Sequence, residues 1–246
     1  VKGNRKRAEA VLTERRTSLE TGSFSGKKKL TVGAYLQGWL ETYAVTNCTA
    51  KTVQGYKQSI NCYTGPISGI TLQKLDATHI QPIYAGMIKR GLSNRSVDAL
   101  HKALSIAFNT AVKQGTIKRN ILDAVIAPKV IKKEVEVWDT ETRAKAMKIL
   151  RESQYGDFYQ LGLMTGMRRG ELAGLKWASV NLASKHLQVV NTLQRITGQG
   201  LMNGQPKTER SRRSIALSPD TVSLLHEIRG KQITQQLEVA DAWTDS

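Results

Sequence analysis

The sequence predicts a mainly α-helical protein with one small antiparallel sheet. Apolar residues recur every three or four positions through most of the chain, as on the buried face of a helix. The period shortens to that of a strand only after Leu187, where glycine-containing turns separate short β-branched runs. With 246 residues, 40% of them hydrophobic, the chain can form one or two domains with real cores.

The first half of the chain predicts a basic helix, a linker and then a bundle of short helices. The basic helix runs over 4–20 and ends at Gly22, and the Gly-, Ser- and Lys-rich residues 23–30 form the linker. The bundle helices are expected at about 32–45 after the cap Thr31, 50–62 after Thr49, 78–90 with Pro82 in its first turn, and 94–114 after Ser93.

The second half begins with another linker, over 128–136, and then changes character. Three helices are expected at about 141–153 (capped by Asp139 or Thr140), 156–165 and 168–174. Strands then begin at Leu187, and residues 214–217 close a three-stranded antiparallel sheet. A final helix opens at Pro219 and reaches about 240.

The charge of the chain favours a polyanionic partner. Lys and Arg number 37 against 20 Asp and Glu, a net of +17, and the excess is spread as +6 over 1–30, +6 over 31–128 and +5 over 129–246. Such a surface attracts nucleic acid over long range. An anionic membrane is the weaker alternative, because no basic amphipathic helix has an aromatic face and no run approaches ~18 apolar residues.

No metal or cofactor is expected. Cys48 and Cys62 are fourteen positions apart, no CxxC occurs, and no two histidines have metal-ligand spacing. The two cysteines are expected to be reduced thiols.

The segment TGMRRGELAGLKW, over 165–177, is the first pattern that carries chemistry. A glycine ends one helix and Arg168 begins the next, where a guanidinium and helix N–H groups can both meet a phosphate. Glu171 lies one turn further and can hold Arg168 in place. The alternative is a pair of exposed arginines on an ordinary amphipathic helix.

The segment PKTERSRRSIAL, over 206–217, is the second pattern and lies on the predicted hairpin. Lys207 stands near a turn, from which it can swing into a groove and deliver a proton. The alternative is a basic hairpin that only contacts backbone phosphates.

Together, in this order and about forty residues apart, the two patterns resemble the tyrosine recombinase family of phage and conjugative-transposon integrases. The TG-x-R-x-x-E-L motif of that family is matched by Thr165, Gly166, Arg168, Glu171 and Leu172. The PKT-x-x-S-x-R pattern is matched by Pro206, Lys207, Thr208, Ser211 and Arg213. Upstream, residues 30–40 are similar to the start of the family's core-binding domain, so the resemblance covers nearly the whole chain.

The resemblance implies a domain arrangement. Residues 1–22 would be the C-terminal helix of an arm-binding domain, and 31–127 a SAM-like helical core-binding domain that binds DNA. Residues 137–246 would be the N-terminal part of the α+β catalytic domain, which is then incomplete.

The resemblance also implies an activity, namely site-specific DNA integration and excision through a 3′-phosphotyrosyl intermediate, without metal. Arg168 would stabilise charge on the scissile phosphate, Glu171 would support Arg168, and Lys207 would protonate the departing 5′-oxygen. The implied partners are double-stranded DNA and three further copies in a homotetramer, in the bacterial cytoplasm at the nucleoid.

The sequence departs from the family pattern at its end. The family's H-x-x-R motif and its tyrosine nucleophile both follow the hairpin and the next helix. His226 and Arg229 match H-x-x-R literally but lie on the helix directly after the hairpin, which is too early. All seven tyrosines precede Arg168. We therefore expect a chain truncated at both ends, which binds DNA without cleaving it.

Candidate DNA contacts lie on two bundle helices and around the two motifs. They are Lys51, Thr52, Lys57, Asn94, Arg95, Lys102, Arg169, Arg210, Arg212 and Arg213. Most would contact phosphate and position the protein rather than read bases. Two other functions stay open: a non-catalytic DNA-binding protein with a recombinase-like fold, and a basic RNA-binding protein. The second is the weaker, because no aromatic cluster of the kind that stacks RNA bases is present.

Overall fold

The computed structural model describes residues 9, 12, 13, 17, 30–131, 134, 136–204 and 212–239. The helix predicted over 4–20 and the linker over 23–30 therefore lie, apart from single residues, outside the described part of the chain. The chain divides into two compact units, Val1–Lys133 and Glu134–Ser246.

The first unit is a helical bundle whose helices begin and end close to their predicted positions. They are α1 (Val32–Trp39, continued by a π-helical turn Leu40–Ala44 and by Val45–Asn47), α2 (Ala50–Tyr63), α3 (Ala77–Lys89) and α4 (Asn94–Lys113), with short 3-10 turns at Gly65–Ile67, Leu72–Lys74 and Ile121–Ala124.

Side-chain caps explain where three of these helices begin. Thr31, Thr49 and Ser93 each have extended backbone, and their hydroxyl oxygens accept the N–H of a residue three positions later. These are the caps predicted from the sequence, and they are confirmed. Each satisfies a donor that the first helical turn leaves unpaired.

The start of α3 differs from the prediction. Asp76 is the cap: its carboxylate accepts the N–H of Thr78, and its own N–H donates to Nδ1 of His79. The helix therefore begins at Ala77, and Pro82 is its sixth residue rather than a first-turn residue. The first-turn prediction is wrong, because the Asp76 cap starts the helix one residue before the predicted 78 and Pro82 lies in its second turn.

Helix α4 forms the centre of the first unit. Leu104 and Phe108 are fully buried on it. The Tyr35 hydroxyl donates to the Ala107 carbonyl at 2.7 Å, and Trp39 Nε1 donates to Thr110 Oγ1 at 3.2 Å. These bonds satisfy the polar atoms of two buried aromatic residues of α1 and orient α1 on α4.

The second unit combines short helices with two small sheets. Its elements are α5 (Thr140–Arg151), α6 (Gly156–Thr165), α7 (Arg169–Ala173), a 3-10 turn (Trp177–Ser179), β1 (Val180–Asn181), β2 (His186–Val189), β3 (Thr192–Ile196), β4 (Gly200–Gly204), β5 (Arg213–Ala216) and α8 (Pro219–Val239). Asp139 caps α5, and its carboxylate accepts the N–H of Thr142 at 2.7 Å.

The strands form two separate sheets instead of one. Strand β2 pairs antiparallel with both β1 and β5, in the order β1-β2-β5, while β3 and β4 form an independent antiparallel hairpin. The prediction of a single sheet that starts at Leu187 is corrected in this respect. Strand β1 has two residues, too few to show a period-two pattern.

The core of the second unit lies between β2 and α8. Leu187 and Val189 alternate with exposed residues on β2 and are buried against Leu224 and Leu225 of α8. Leu172 of α7 joins the same core, which anchors the helix that carries the first motif. The predicted fold class, mainly helical with small antiparallel strands, is confirmed.

Two further findings concern the described residues alone. None of their helices has the length and apolar composition that a membrane crossing requires. Cys48 and Cys62 are both free thiols.

Candidate active site

The turn between α6 and α7 presents Arg168 at a helix start. Gly166 adopts a left-handed conformation with φ of 64°, which ends α6 at Thr165. Arg168 is extended at the N-terminal cap, and α7 begins at Arg169. Glycine reaches this conformation without the cost that a Cβ would impose, so the TG pair of the motif has a direct structural reason.

The carboxylate of Glu171 is the centre of the site. Only 3% of this side chain is exposed, and its two oxygens accept four hydrogen bonds. Oε1 accepts from Arg168 Nη1 at 2.8 Å and from Arg213 Nη1 at 3.1 Å. Oε2 accepts from the backbone N–H of Arg168 at 2.9 Å and from Arg213 Nη2 at 2.8 Å. A buried charge is thus fully paired, as its burial requires.

The arginines hold the Glu171 carboxyl ionised. Hydrogen bonds from Arg213 first, and then from the N–H and guanidinium of Arg168, lower its pKa from 4.5 to about 2, against the opposing effect of burial. In return, the hydrogen bonds to Glu171 raise the pKa of Arg213. The cluster therefore carries two positive charges and one negative charge.

Removal of the Glu171 charge is expected to destabilise the second unit in a pH-dependent way. The folded pKa lies below its usual value, so the carboxylate contributes fully above pH 4.5 and loses its contribution as the pH falls toward 2. Glu171→Gln should lower the free energy of unfolding at pH 7 by about 3 kcal/mol, and the difference from wild type should shrink as the solution is acidified. Urea unfolding of this unit, followed by its amide NMR signals at pH 7, 5 and 3.5, measures this.

A matched control for that measurement is Glu141→Gln on α5. Glu141 is exposed and pairs, within the described residues, with the equally exposed Lys145, so little loss is expected at any pH. Equal pH profiles for the Glu171 and Glu141 variants would show that the buried carboxylate does not stabilise the fold through its charge.

Strand β3 lies directly against α7. A Cβ on Gly174 would come within 2.9 Å of the backbone of Thr192 and Leu193, and one on Gly170 within 3.3 Å of the Leu193 carbonyl oxygen. Glycine at these positions allows the hairpin to approach the helix. The hydroxyl of Thr192 donates to the Gly204 carbonyl at 3.2 Å, so the end of β4 is tied to the same place.

Lys207 and Arg210 lie outside the described residues. The described residues nearest to them in sequence are Gly204, at the end of β4, and Arg212, just before β5. The convergence of Lys207 with Arg168 on one phosphate therefore stays a prediction. Of the other candidates near the motifs, Arg169 and Arg212 are exposed.

Arg213 has a partner that the sequence did not indicate. In the structure its guanidinium forms a fork with Glu171 and is 32% exposed, and its predicted DNA contact stays a prediction. The alternation of side chains along a strand could have indicated that Arg213 is partly buried, because it shares a face with the half-buried Ile215. Which buried acid it meets depends on tertiary structure.

The candidate DNA contacts of the first unit lie on α2 and at the start of α4. Lys57 and Arg95 are exposed. The other four make bonds within the unit: Lys51 to Gln54, Thr52 to Thr49, Asn94 to the Lys129 carbonyl, and Lys102 to Asp98. Their role in DNA binding stays a prediction.

The literal H-x-x-R match has another role in the structure. His226 and Arg229 lie on α8, where the Arg229 guanidinium stacks over the ring of Trp177 at 5.5 Å. Tyr35 and Tyr84 are buried, and burial raises the pKa of Tyr35 to about 12 and that of Tyr84 further. Tyr155 and Tyr159 are exposed on or beside α6.

Curated proteins similar to this chain are integrases and tyrosine recombinases. An integrase of Saccharopolyspora erythraea is 33% identical over 68% of this chain and 39% of its own length. A XerC-like tyrosine recombinase of Caldanaerobacter subterraneus is 24% identical over 97% of this chain and 65% of its own. The ICEBs1 integrase of Bacillus subtilis is 28% identical over 68% and 45%. The chain thus spans about two fifths to two thirds of these relatives. No family model matches it.

Solved structures with the same fold include integrases in complex with DNA. The Tn1549 transposon integrase, in complex with a circular intermediate DNA, superposes with a TM-score of 0.70 at 18% identity, over 82% of this chain and 65% of that one. A lambda integrase tetramer bound to a Holliday junction gives a TM-score of 0.61 at 20% identity, over 91% and 67%. Because the curated relatives, the shared fold and the motif at Arg168 agree, this chain belongs to the tyrosine recombinase family.

Proposed function

We propose that this chain supplies the DNA-binding unit and the first catalytic residues of an integrase that performs site-specific DNA recombination. The observation that carries the proposal is the state of Arg168. Its side chain is 73% exposed, yet one of its nitrogens is held at 2.8 Å by a buried carboxylate. A guanidinium that is exposed but oriented is the arrangement that recognises a phosphate outside the protein.

The proposed reaction is a phosphoryl transfer in two steps, cleavage and rejoining. The hydroxyl oxygen of a tyrosine bonds to the scissile phosphorus and loses its proton, while the bond from phosphorus to the 5′-oxygen breaks. This step leaves a 3′-phosphotyrosyl link and a free 5′-hydroxyl. In the second step the 5′-hydroxyl of another strand attacks the same phosphorus, and the bond from phosphorus to the tyrosine oxygen breaks. Arg168 would stabilise charge on the non-bridging oxygens, a contribution of roughly 2.7–4 kcal/mol for one such donor.

Lys207 would be the general acid that protonates the departing 5′-oxygen. Lys207→Ala in the complete gene product should cleave normal DNA roughly 10²–10⁴-fold more slowly, the usual contribution of general acid catalysis. A substrate with sulfur in place of that 5′-oxygen needs no proton to leave and should restore the rate. Single-turnover cleavage of both substrates measures this, and equal slowing on both would contradict the role.

Double-stranded DNA is the proposed partner of the first unit. All ten basic side chains of residues 31–128 are exposed. Of the structural neighbours, the Tn1549 integrase is bound to a circular intermediate DNA, and a lambda integrase tetramer is bound to a Holliday junction. We infer the same kind of substrate, and a homotetramer on it, for the complete protein. Its place of action would be the bacterial cytoplasm, where that DNA lies.

The nucleophile is proposed to lie outside these 246 residues. No tyrosine follows Arg168 in the sequence, whereas the family's nucleophile comes last. This chain should therefore bind DNA and leave it uncut. With a radiolabelled nicked duplex, we expect no protein band that retains label in denaturing gels. A labelled band would contradict this part of the proposal.

The coding sequence after the Ser246 codon separates the proposal from its alternative. An H-x-x-R motif followed by a tyrosine supports the recombinase. A stop codon at that point would favour a DNA-binding protein that kept the fold without the chemistry.

A further inference from the structure

Three arrangements in the structure invite a functional explanation: the exposed apolar side chains of α6, the exposed polar face of α2, and the pairing of two arginines on Glu171. Nothing in the structure shows what covers α6. The face of α2 belongs to the DNA contacts already proposed. The pairing of Arg168 and Arg213 on Glu171 affects how Arg168 is oriented.

We propose that Arg213 is a positioning residue for Arg168 and acts through the plane of the Glu171 carboxylate. The inference rests on the proposed function only in its consequence for cleavage. Its geometric part, that Arg213 determines how Arg168 is held, stands by itself.

The hydrogen bonds to Glu171 are unequal in the constraint that they impose. Arg213 donates from both terminal nitrogens, one to each oxygen, at 3.1 and 2.8 Å. A two-point fork fixes the rotation of a carboxylate about its last bond. Arg168 donates its backbone N–H to Oε2 at 2.9 Å and its Nη1 to Oε1 at 2.8 Å. The backbone bond holds Oε2 and leaves Oε1 able to turn about it together with the flexible side chain, whereas the fork holds both oxygens.

The orientation of Arg168 depends on that plane because little else holds it. Its side chain is 73% exposed, and within the described part of the chain the Glu171 carboxylate is the one acceptor of its guanidinium. If Oε1 turned away, the guanidinium would keep its charge and lose its direction. Since Arg213 lies on β5, 42 positions after Glu171, the fork also links Arg168 to the strand that follows Lys207.

The variant Arg213→Lys distinguishes the effect of the two hydrogen bonds from the effect of the positive charge. Lysine donates from one nitrogen and acts as a point charge, so Arg213→Lys keeps the ion pair and removes the two-point constraint. A purely electrostatic or structural role would be rescued by lysine, and a role in orientation would not. Arg195→Lys is the matched control, because Arg195 is an exposed arginine of the β3–β4 hairpin.

The test uses this chain with ¹⁵N-labelled arginine. In wild type, the Nη groups of Arg168 and Arg213 should show separate, slowly exchanging NMR signals, because hydrogen bonds hinder rotation about the Cζ–Nε bond. Arg168→Lys assigns the first set. In Arg213→Lys we expect the Arg168 signals to merge as in free arginine, and in Arg195→Lys to stay separate. Persistence of separate Arg168 signals in Arg213→Lys would overturn the inference. If that variant does not fold, Arg213→Gln replaces it.

The consequence for cleavage is measured on the complete gene product. Arg213→Lys should lower kcat for strand cleavage roughly 10- to 100-fold through misplacement of Arg168, with KM for DNA unchanged. An unchanged kcat would also overturn the inference. Failure of the wild-type protein to cleave would count against the proposed function instead, and the NMR result would still decide the role of Arg213.

Discussion

Arg168→Ala should abolish the covalent protein–DNA complex in the complete gene product and leave DNA affinity nearly unchanged. Loss of one donor to a developing oxyanion costs roughly 10²–10³-fold in rate, and a trapping assay does not detect the remainder. Binding should survive because Arg168 is one of 37 basic residues that attract the DNA backbone. A nicked suicide substrate, which loses its 5′-hydroxyl strand after cleavage, measures covalent complex, and fluorescence anisotropy measures affinity.

Two variants show whether that loss belongs to Arg168 itself. Arg168→Lys keeps the charge without the planar guanidinium, and trapping should remain strongly reduced. Arg195→Ala removes an exposed arginine of the hairpin and should trap normally. Normal trapping by Arg168→Ala would refute the catalytic role, and equal losses in Arg168→Ala and Arg195→Ala would point to a general effect of charge.

Salt should weaken binding of this chain to duplex DNA by three to five orders of magnitude. If the protein neutralises some 6–10 phosphates, the released counterions lower affinity roughly 10³–10⁵-fold between 50 and 200 mM salt. The net charge of +17 is distributed along the chain, with +6 in residues 31–128 alone, so a contact area of that size is physically reasonable. Anisotropy titrations of one labelled duplex at several salt concentrations give the slope.

Variants of single basic residues show which side chains contribute to that salt dependence. Arg95→Ala removes an exposed candidate on α4 and should weaken binding and lower the salt slope by about 1. Lys145→Ala, on α5, removes a lysine already paired with Glu141 at 2.7 Å and should change neither. A tenfold or smaller loss of wild-type affinity over the same salt range would argue against a binding surface made of phosphate contacts.

Most helices could be predicted because their signals are local. A cap such as Thr31 or Ser93 lies next to the turn that it satisfies, and the apolar period of α4 repeats within the helix itself. Two predictions failed for local reasons. Helix α3 begins one residue earlier than predicted, so Pro82 lies in its second turn, and β1 is too short, at two residues, to show a strand pattern.

The division of the strands could not be predicted for a different reason. Alternation along a strand shows which side chains share a face and leaves the choice of partner strand open. Strand β2 takes its partners from 180–181 before it and 213–216 after it, while β3 and β4 pair with each other in a separate sheet among the described residues. Those choices depend on burial of Leu187 and Val189 against α8, which no local pattern contains.

Most helices, the end of α6 at Gly166 and the Arg168–Glu171 pair follow from the local sequence, because each depends on residues within about one helical turn of one another. The position of Arg213, 42 residues after Glu171, and the burial of the carboxylate between the two arginines follow from packing instead. A buried charge needs all its donors at one point, and the packing of sheet against helix is what brings β5 to α7.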